Sequence, residues 1–148
     1  MRTPNKKISF KRFAQMLKRG KPDVRKDGSM AIKPIVSVDV EATESEVTTE
    51  CVEWLRSHGC RMKRQNNGAG YLNDSPNYAT YGIVGSADFT GMLPSGRRLE
   101  VEFKKGKGGV LSKAQADYMD WARAGDGVYV YVHGLAELKE KMKNYLDI

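Results

Sequence analysis

Hydrophobic and polar residues repeat with a helical period in four stretches of this chain and alternate with a strand period between them. Phe10, Phe13 and Leu17 recur at i, i+3 and i+7, which predicts a short amphipathic helix over residues 8–19 with Lys and Arg on its outer face. Gly20, Pro22, Asp27 and Gly28 then break regular structure, and IKPIVSVDV leads into the main domain, whose boundary falls near residues 35–40. A second helix begins at Thr43, which has capping-box spacing to Glu46, and runs to about residue 58, where Gly59 stops it. Its apolar stripe is Val47, Cys51, Trp54 and Leu55. CRMKR reads as a short strand, and residues 65–82, rich in Gly and Tyr, as a long loop.

The segments SADFTGML and LEVEFK, joined by the turn PSGR, read as a β-hairpin, because apolar and polar residues alternate in the second of them. Ser112 and Gln115 repeat the capping-box spacing, with Leu111 as a hydrophobic staple, at the start of a helix that reaches about residue 124. VYVYV is a strand, and residues 135–145 form a last amphipathic helix. The order of helix, strand, loop, hairpin, helix, strand and helix predicts an α/β fold, a sheet with helices packed on its faces.

LEVEFK carries the candidate chemistry. Side chains at i and i+2 of a strand share a face, so Leu99, Val101 and Phe103 point one way and Glu100, Glu102 and Lys104 the other. An isolated E-x-K is usually the solvated face of an antiparallel strand. Here a turn centred on Ser95 and Gly96 brings Asp88 within about one residue of Glu102, close enough for both carboxylates to share a divalent cation. Hard oxygen ligands suit Mg²⁺ (or Mn²⁺), and a neighbouring Lys can orient a bound water or stabilise developing charge. A basic, flexible KKGKGG segment follows directly.

Composition narrows the function classes. A chain of 148 residues fits one domain, and no run approaches the ~18 apolar residues of a membrane span. The basic start lacks the apolar core of a secretory signal, and two cysteines are too few for a disulfide framework, so the expected setting is intracellular with reduced thiols. The formal charge is +7, yet residues 1–35 alone hold 11 basic and 2 acidic side chains, and the remainder balances at −2. A basic arm over residues 1–35 favours DNA or RNA, or serves as a solubilising tail. His58 and His133 are isolated, Cys51 and Cys60 fit no zinc motif, and no P-loop occurs.

The segments ESEVTTECVEWLRSHG, RQNNGAG, GIVGSADFTGMLPSGRRLEVEFKKGKG and LSKAQADYMDWARAGDGVYV together resemble the VRR-NUC domain of the PD-(D/E)XK nuclease superfamily, in the small stand-alone form of phage and bacterial proteins. The resemblance covers roughly residues 43–133. It implies a restriction-endonuclease-like core, a mixed sheet flanked by helices, within a nuclease domain over residues 36–148. It implies a Mg²⁺-dependent DNA endonuclease of the intracellular compartment, acting in repair or recombination on branched substrates such as Holliday junctions or flaps. Two cuts in a junction call for two sites and hence a homodimer. The alternative is a non-catalytic basic nucleic-acid-binding module.

By the same resemblance Asp88 and Glu102 bind the metal, with Phe103 counted at the metal site, and Lys104 assists the attacking water. Glu44 and Gln115 complete the catalytic set. Arg64 and Asn66, with Lys105 and Lys107, contact nucleic acid. The chain has GSAD where many relatives have a Pro before the Asp, and EFK where many have EVK; neither change removes a functional group. Between Glu44 and Glu46, helical geometry favours Glu44, about 20° from the centre of the apolar stripe against about 140°. Glu46 already has a role as capping partner of Thr43. Gln115 has a capping alternative with Ser112, and Tyr71, Tyr78 and Tyr81 either stack on an unpaired base or pack their loop.

Overall fold

The computed structural model describes residues 24–66, 68–71 and 78–148, with 68–71 and 78–81 as backbone alone. The helix expected over residues 8–19 lies outside the described residues. RLEVEF forms β6 (Arg98–Phe103), an inner strand of a mixed four-stranded sheet. The spatial order is β2 (Arg61–Arg64), β5 (Phe89–Met92), β6 and β8 (Val128–Val132). The first three strands are antiparallel neighbours, and β8 joins β6 in parallel through a crossover. That crossover contains β7 (Val110–Leu111) and a helix, as a parallel return requires.

Strand periodicity sorts the side chains into two layers. The parallel register pairs Leu99 with Val128, Val101 with Val130 and Phe103 with Val132 on one face. These residues form the main core with Val47, Cys51, Val52 and Leu55 of α1 (Glu44–Ser57) and Leu138 and Met142 of α3 (Leu135–Met142). Each fully buried Leu or Val contributes roughly 1.5–3 kcal/mol. On the other face Glu100 pairs with Tyr129 and Glu102 with Tyr131. There α2 (Lys113–Ala124) lays Tyr118, Met119 and Ala122 over Tyr129, Ala87, Leu111 and Ile32. The charged face of LEVEFK is therefore covered: Glu100 is 1% exposed and Glu102 4%.

Both capping boxes form, at Thr43 with Glu46 and at Ser112 with Gln115. Helix α3 ends at Met142, short of the expected residue 145. The stretch expected as a long loop contains a two-stranded antiparallel hairpin, β3 (Gly68–Tyr71) with β4 (Tyr78–Tyr81). Its glycines leave gaps in the polar and apolar alternation from which strands are read. Part of the charge-defined arm is packed with the domain: β1 (Met30–Ala31) pairs with β7, and Ile32 is buried in the second layer. No helix among the described residues is long and apolar enough to cross a membrane.

Candidate active site

The register of β5 and β6 ends at Phe89 opposite Val101, so one further step sets Asp88 opposite Glu102, on the face away from the main core. Two hydrogen bonds lock this pair. The main-chain N–H of Asp88 donates to Oε2 of Glu102 at 3.1 Å, and that of Phe103 donates to Oδ2 of Asp88 at 3.1 Å. Lys104 Nζ donates to Oε1 of Glu102 at 2.9 Å, and Gln115 Nε2 donates to the same oxygen at 2.6 Å. Asp88, Glu102, Lys104 and Gln115 thus converge as the sequence reading expects.

Burial pushes the Glu102 carboxyl above the usual carboxylate range; Lys104 opposes the shift and the Asp88 charge adds to it. A carboxyl in this position takes up a proton more readily than an exposed one, and a bound cation would replace that proton. The donor set suits a hard cation. Among the described residues no group of three or more His, Cys, Asp or Glu side chains could hold a metal. The acidic ligands would be Asp88 and Glu102 alone, which fits Mg²⁺, an ion that keeps several waters and binds through one or two carboxylates plus substrate phosphates. At Phe103 the side chain is fully buried in the opposite layer, edge-on to Phe89 at 5.7 Å between ring centroids, so any part it takes at a metal falls to its main chain. Its main chain alone faces Asp88.

Gln115 performs both tasks between which the sequence left it divided. Its Oε1 accepts from the N–H of Ser112 at 3.0 Å while its Nε2 reaches Glu102. The first turn of α2 comes this close because the loop entering β5 lies directly against it. At Gly85, with φ of +81°, a Cβ would run into the main-chain carbonyl of Ala114, so only glycine permits both the turn and the approach.

Glu44 is exposed rather than turned inward. As the first residue of α1 it lies at the open end of the helix, a turn before the stripe residues that meet the sheet. It lines a cavity of about 720 Å³ together with Glu41, Lys105, Lys107, Gly108 and Gly109. The loop carrying these lysines docks on the segment before α1 through Gly106, whose N–H donates to the carbonyl of Ala42 at 3.1 Å. A Cβ added at Gly109 would touch the Lys104 side chain. Glu46 is held by the N–H and hydroxyl of Thr43, and these bonds lower its carboxyl below the usual range.

Arg64 and Asn66 are exposed, and Arg64, paired with Phe89, projects on the main-core face, away from Asp88 and Glu102. Arg64 stands opposite Phe89 with its guanidinium over that ring at 5.0 Å, and the N–H of Gln65 donates to the carbonyl of Asp88 at 2.7 Å. The side chains of Tyr71, Tyr78 and Tyr81 lie outside the described residues.

Two buried polar groups escape the sequence reading. Tyr118 donates to Oε1 of Glu100 at 3.0 Å and accepts from Arg98 at 2.7 Å. Its spacing of three from Gln115 on one helix was the available signal that both reach the acidic face. His133, isolated in sequence, is fully buried with Nδ1 2.8 Å from Oε2 of Glu137, and Lys141 Nζ lies 2.7 Å from the other oxygen. The i, i+4 spacing within HGLAE was its signal. Burial, with smaller contributions from Glu50 and Glu137, pushes the Cys51 thiol up to about 12, so it is a packing residue. Comparison with known proteins found no matching family model, no matching curated protein and no matching solved structure.

Proposed function

We propose that this chain is a Mg²⁺-dependent DNA endonuclease, in keeping with the VRR-NUC resemblance of its sequence. The observation that carries the reading is the pairing of Asp88 with Glu102 across β5 and β6, with Lys104 and Gln115 both donating to one Glu102 oxygen. A binding module has no reason to set a half-buried Asp88 against a buried Glu102 with a lysine and a glutamine held on one of its oxygens. Mg²⁺, when bound, supplies charge stabilisation and a lowered pKa for the attacking water.

The residues of the chain do the rest. Asp88 and Glu102 hold the cation. Gln115 fixes the Glu102 carboxylate, and Lys104 offers positive charge where negative charge develops on the phosphoryl oxygens. Water adds to phosphorus and gives up a proton to solvent as the bond to the sugar oxygen breaks, and that oxygen leaves as a hydroxyl after taking up a proton from solvent. The exposed side chains of Lys105 and Lys107, in the loop that follows Lys104, contact the phosphates of the strand, with Arg64 and Asn66 as outlying contacts on the edge strand β2 and just after it.

The excess of basic residues in residues 1–35 favours a second reading, a non-catalytic nucleic-acid-binding module. Supercoiled plasmid incubated with the protein in Mg²⁺ or in EDTA distinguishes them: nicking in Mg²⁺ alone supports the nuclease, and retention on DNA without cutting in either supports the module. Branched substrates and a homodimer belong to the proposal as well. Sedimentation, with side-by-side digestion of a four-way junction and a linear duplex of the same sequence, tests both; a monomer that cuts the linear duplex as fast removes them.

A further inference from the structure

Helix α2 covers half of the sheet face that carries the site and leaves the other half open. One edge of the helix follows β6, with Gln115 on Glu102, Tyr118 on Glu100 and Trp121 beside Arg98. Its other edge lies over β8, where Arg123 reaches the carbonyl of Tyr129. Among the described residues, the apolar layer beneath α2 takes nothing from β5 or β2.

Strand alternation fixes what the open half presents. Met62 is buried in the main core, so Arg61 and Lys63 point to the face of Asp88 and Glu102. They pair with Met92 and Thr90, and Met92 pairs in turn with Arg98. Arg61, Lys63, Met92 and Arg98 are all exposed. The result is a strip of open sheet that starts at Asp88, edged by the cations of β2 on one side and by α2 on the other. Nearby acids are neutralised or covered: Glu100 and Glu102 are buried, and Asp117 of α2 is paired with Lys113.

Trp121 stands at the far end of the strip and is 63% exposed, although tryptophan is highly buried on average. The Tyr118 ring, 5.3 Å away between centroids, and the Arg98 guanidinium, 5.9 Å from the indole centroid, hold it in place. A fixed, exposed indole beside a guanidinium suits stacking on an unpaired base. A base inside a duplex already stacks on its neighbours and has no face to offer.

We propose that this strip is the path of the DNA strand that is cut: its phosphates lie on Arg61 and Lys63, and an unpaired base stacks on Trp121, about 13 Å along the strand direction from Asp88. The proposal rests on the reading of Asp88 and Glu102 as the cleavage site, and it narrows the substrate to DNA with unpaired bases within a few nucleotides of the cut. Positive charge along the strip and its continuity with Asp88 select a nucleic-acid strand over a second copy of the chain as occupant.

The test is binding of two labelled oligonucleotides, a fork with single-stranded arms and a fully paired duplex of the same length, followed by fluorescence anisotropy in Ca²⁺ at several salt concentrations. Wild type is compared with the double variant Arg61→Ala, Lys63→Ala and with Trp121→Ala and Trp121→Phe, each checked for folding by its thermal unfolding. The double variant should lower the salt slope on the fork by about 1.4, as two single-strand phosphates require. Trp121→Ala should bind the fork about ten-fold more weakly and the duplex as wild type does, and Trp121→Phe should recover most of the loss. A wild-type slope in the double variant, or an equal loss on fork and duplex for Trp121→Ala, overturns the path. So does Trp121→Ala that binds the fork normally but sediments at a lower mass than wild type, since the strip is then a face between copies. If wild type nicks plasmid in Mg²⁺ while the variants bind both oligonucleotides as it does, the path falls and the nuclease reading stands. Wild type that cuts neither plasmid nor fork in Mg²⁺ overturns both.

Discussion

Gln115 joins the end of a helix to the centre of the site, and two substitutions separate those tasks. Gln115→Ala removes the bond from Ser112 N–H, which is exposed and open to replacement by water, and the 2.6 Å bond to Glu102. The first is worth about 0.5 kcal/mol at an exposed cap and the second about 1.5–3 kcal/mol, because its acceptor is a buried carboxylate. A loss of roughly 2–3 kcal/mol lowers the unfolding temperature of a domain of this size by roughly 4–12 °C. Gln115→Glu keeps an acceptor for Ser112 but sets a new carboxyl against Glu102. Two carboxyls this close cannot both ionise, so one holds its proton well above the usual range in the folded state. A folded pKa raised above the unfolded one favours folding at low pH, and that stability disappears as pH rises through it. Gln115→Glu is therefore expected to unfold close to wild type at pH 5 and near or below Gln115→Ala at pH 8. Thermal unfolding of the three proteins at both pH values is the assay. A Gln115→Glu deficit that is the same at both pH values, or a Gln115→Ala variant as stable as wild type, refutes the reasoning.

Three further outcomes follow from other parts of the molecule. Gly85→Ala forces a Cβ into the Ala114 carbonyl at positive φ, so it should lose more than about 1 kcal/mol in denaturant unfolding, and cleavage with it, as Asp88 is displaced. Glu137 is pushed up by burial, but hydrogen bonds from His133 and Lys141 bring its carboxyl below the usual range, so it stabilises the fold above that range and this contribution is lost as pH falls through it. Glu137→Gln should therefore cost about 3 kcal/mol at pH 7, with the gap to wild type narrowing below about pH 4 in a pH series of unfolding temperatures. Deleting residues 1–23 should flatten the salt dependence of DNA binding by about 0.9 for each phosphate that segment neutralises, measured by titration at several salt concentrations; an unchanged slope makes the segment a spectator.

Much of this arrangement is legible in sequence because strand pairing is local arithmetic. The turn at Ser95 and Gly96 fixes the register, and the register carries Asp88 to Glu102 without any knowledge of the rest of the chain. Burial of the acidic face is not local. LEVEFK looks identical whether water or a helix covers Glu100 and Glu102, and only the docking of α2, enabled by the close approach at Gly85, decides it. Glu44 shows the limit of angular reasoning, which gives a direction around a helix axis but says nothing of whether the sheet extends as far as the first turn. The hairpin of β3 and β4 was hidden because glycine contributes nothing to hydrophobic periodicity.

Whether the Asp88 and Glu102 pair supports metal-dependent cleavage is decided by Glu102→Gln, since the amide matches the carboxylate in shape and lacks its charge. The measurement is the initial rate of plasmid nicking by folded wild type and folded Glu102→Gln protein in Mg²⁺, with EDTA and Ca²⁺ as controls. Wild type is expected to cut in Mg²⁺ alone and to bind DNA without cutting in Ca²⁺, and Glu102→Gln to nick at least about 100-fold more slowly. Glu102→Gln protein that nicks at the wild-type rate in Mg²⁺ would contradict that role for the pair.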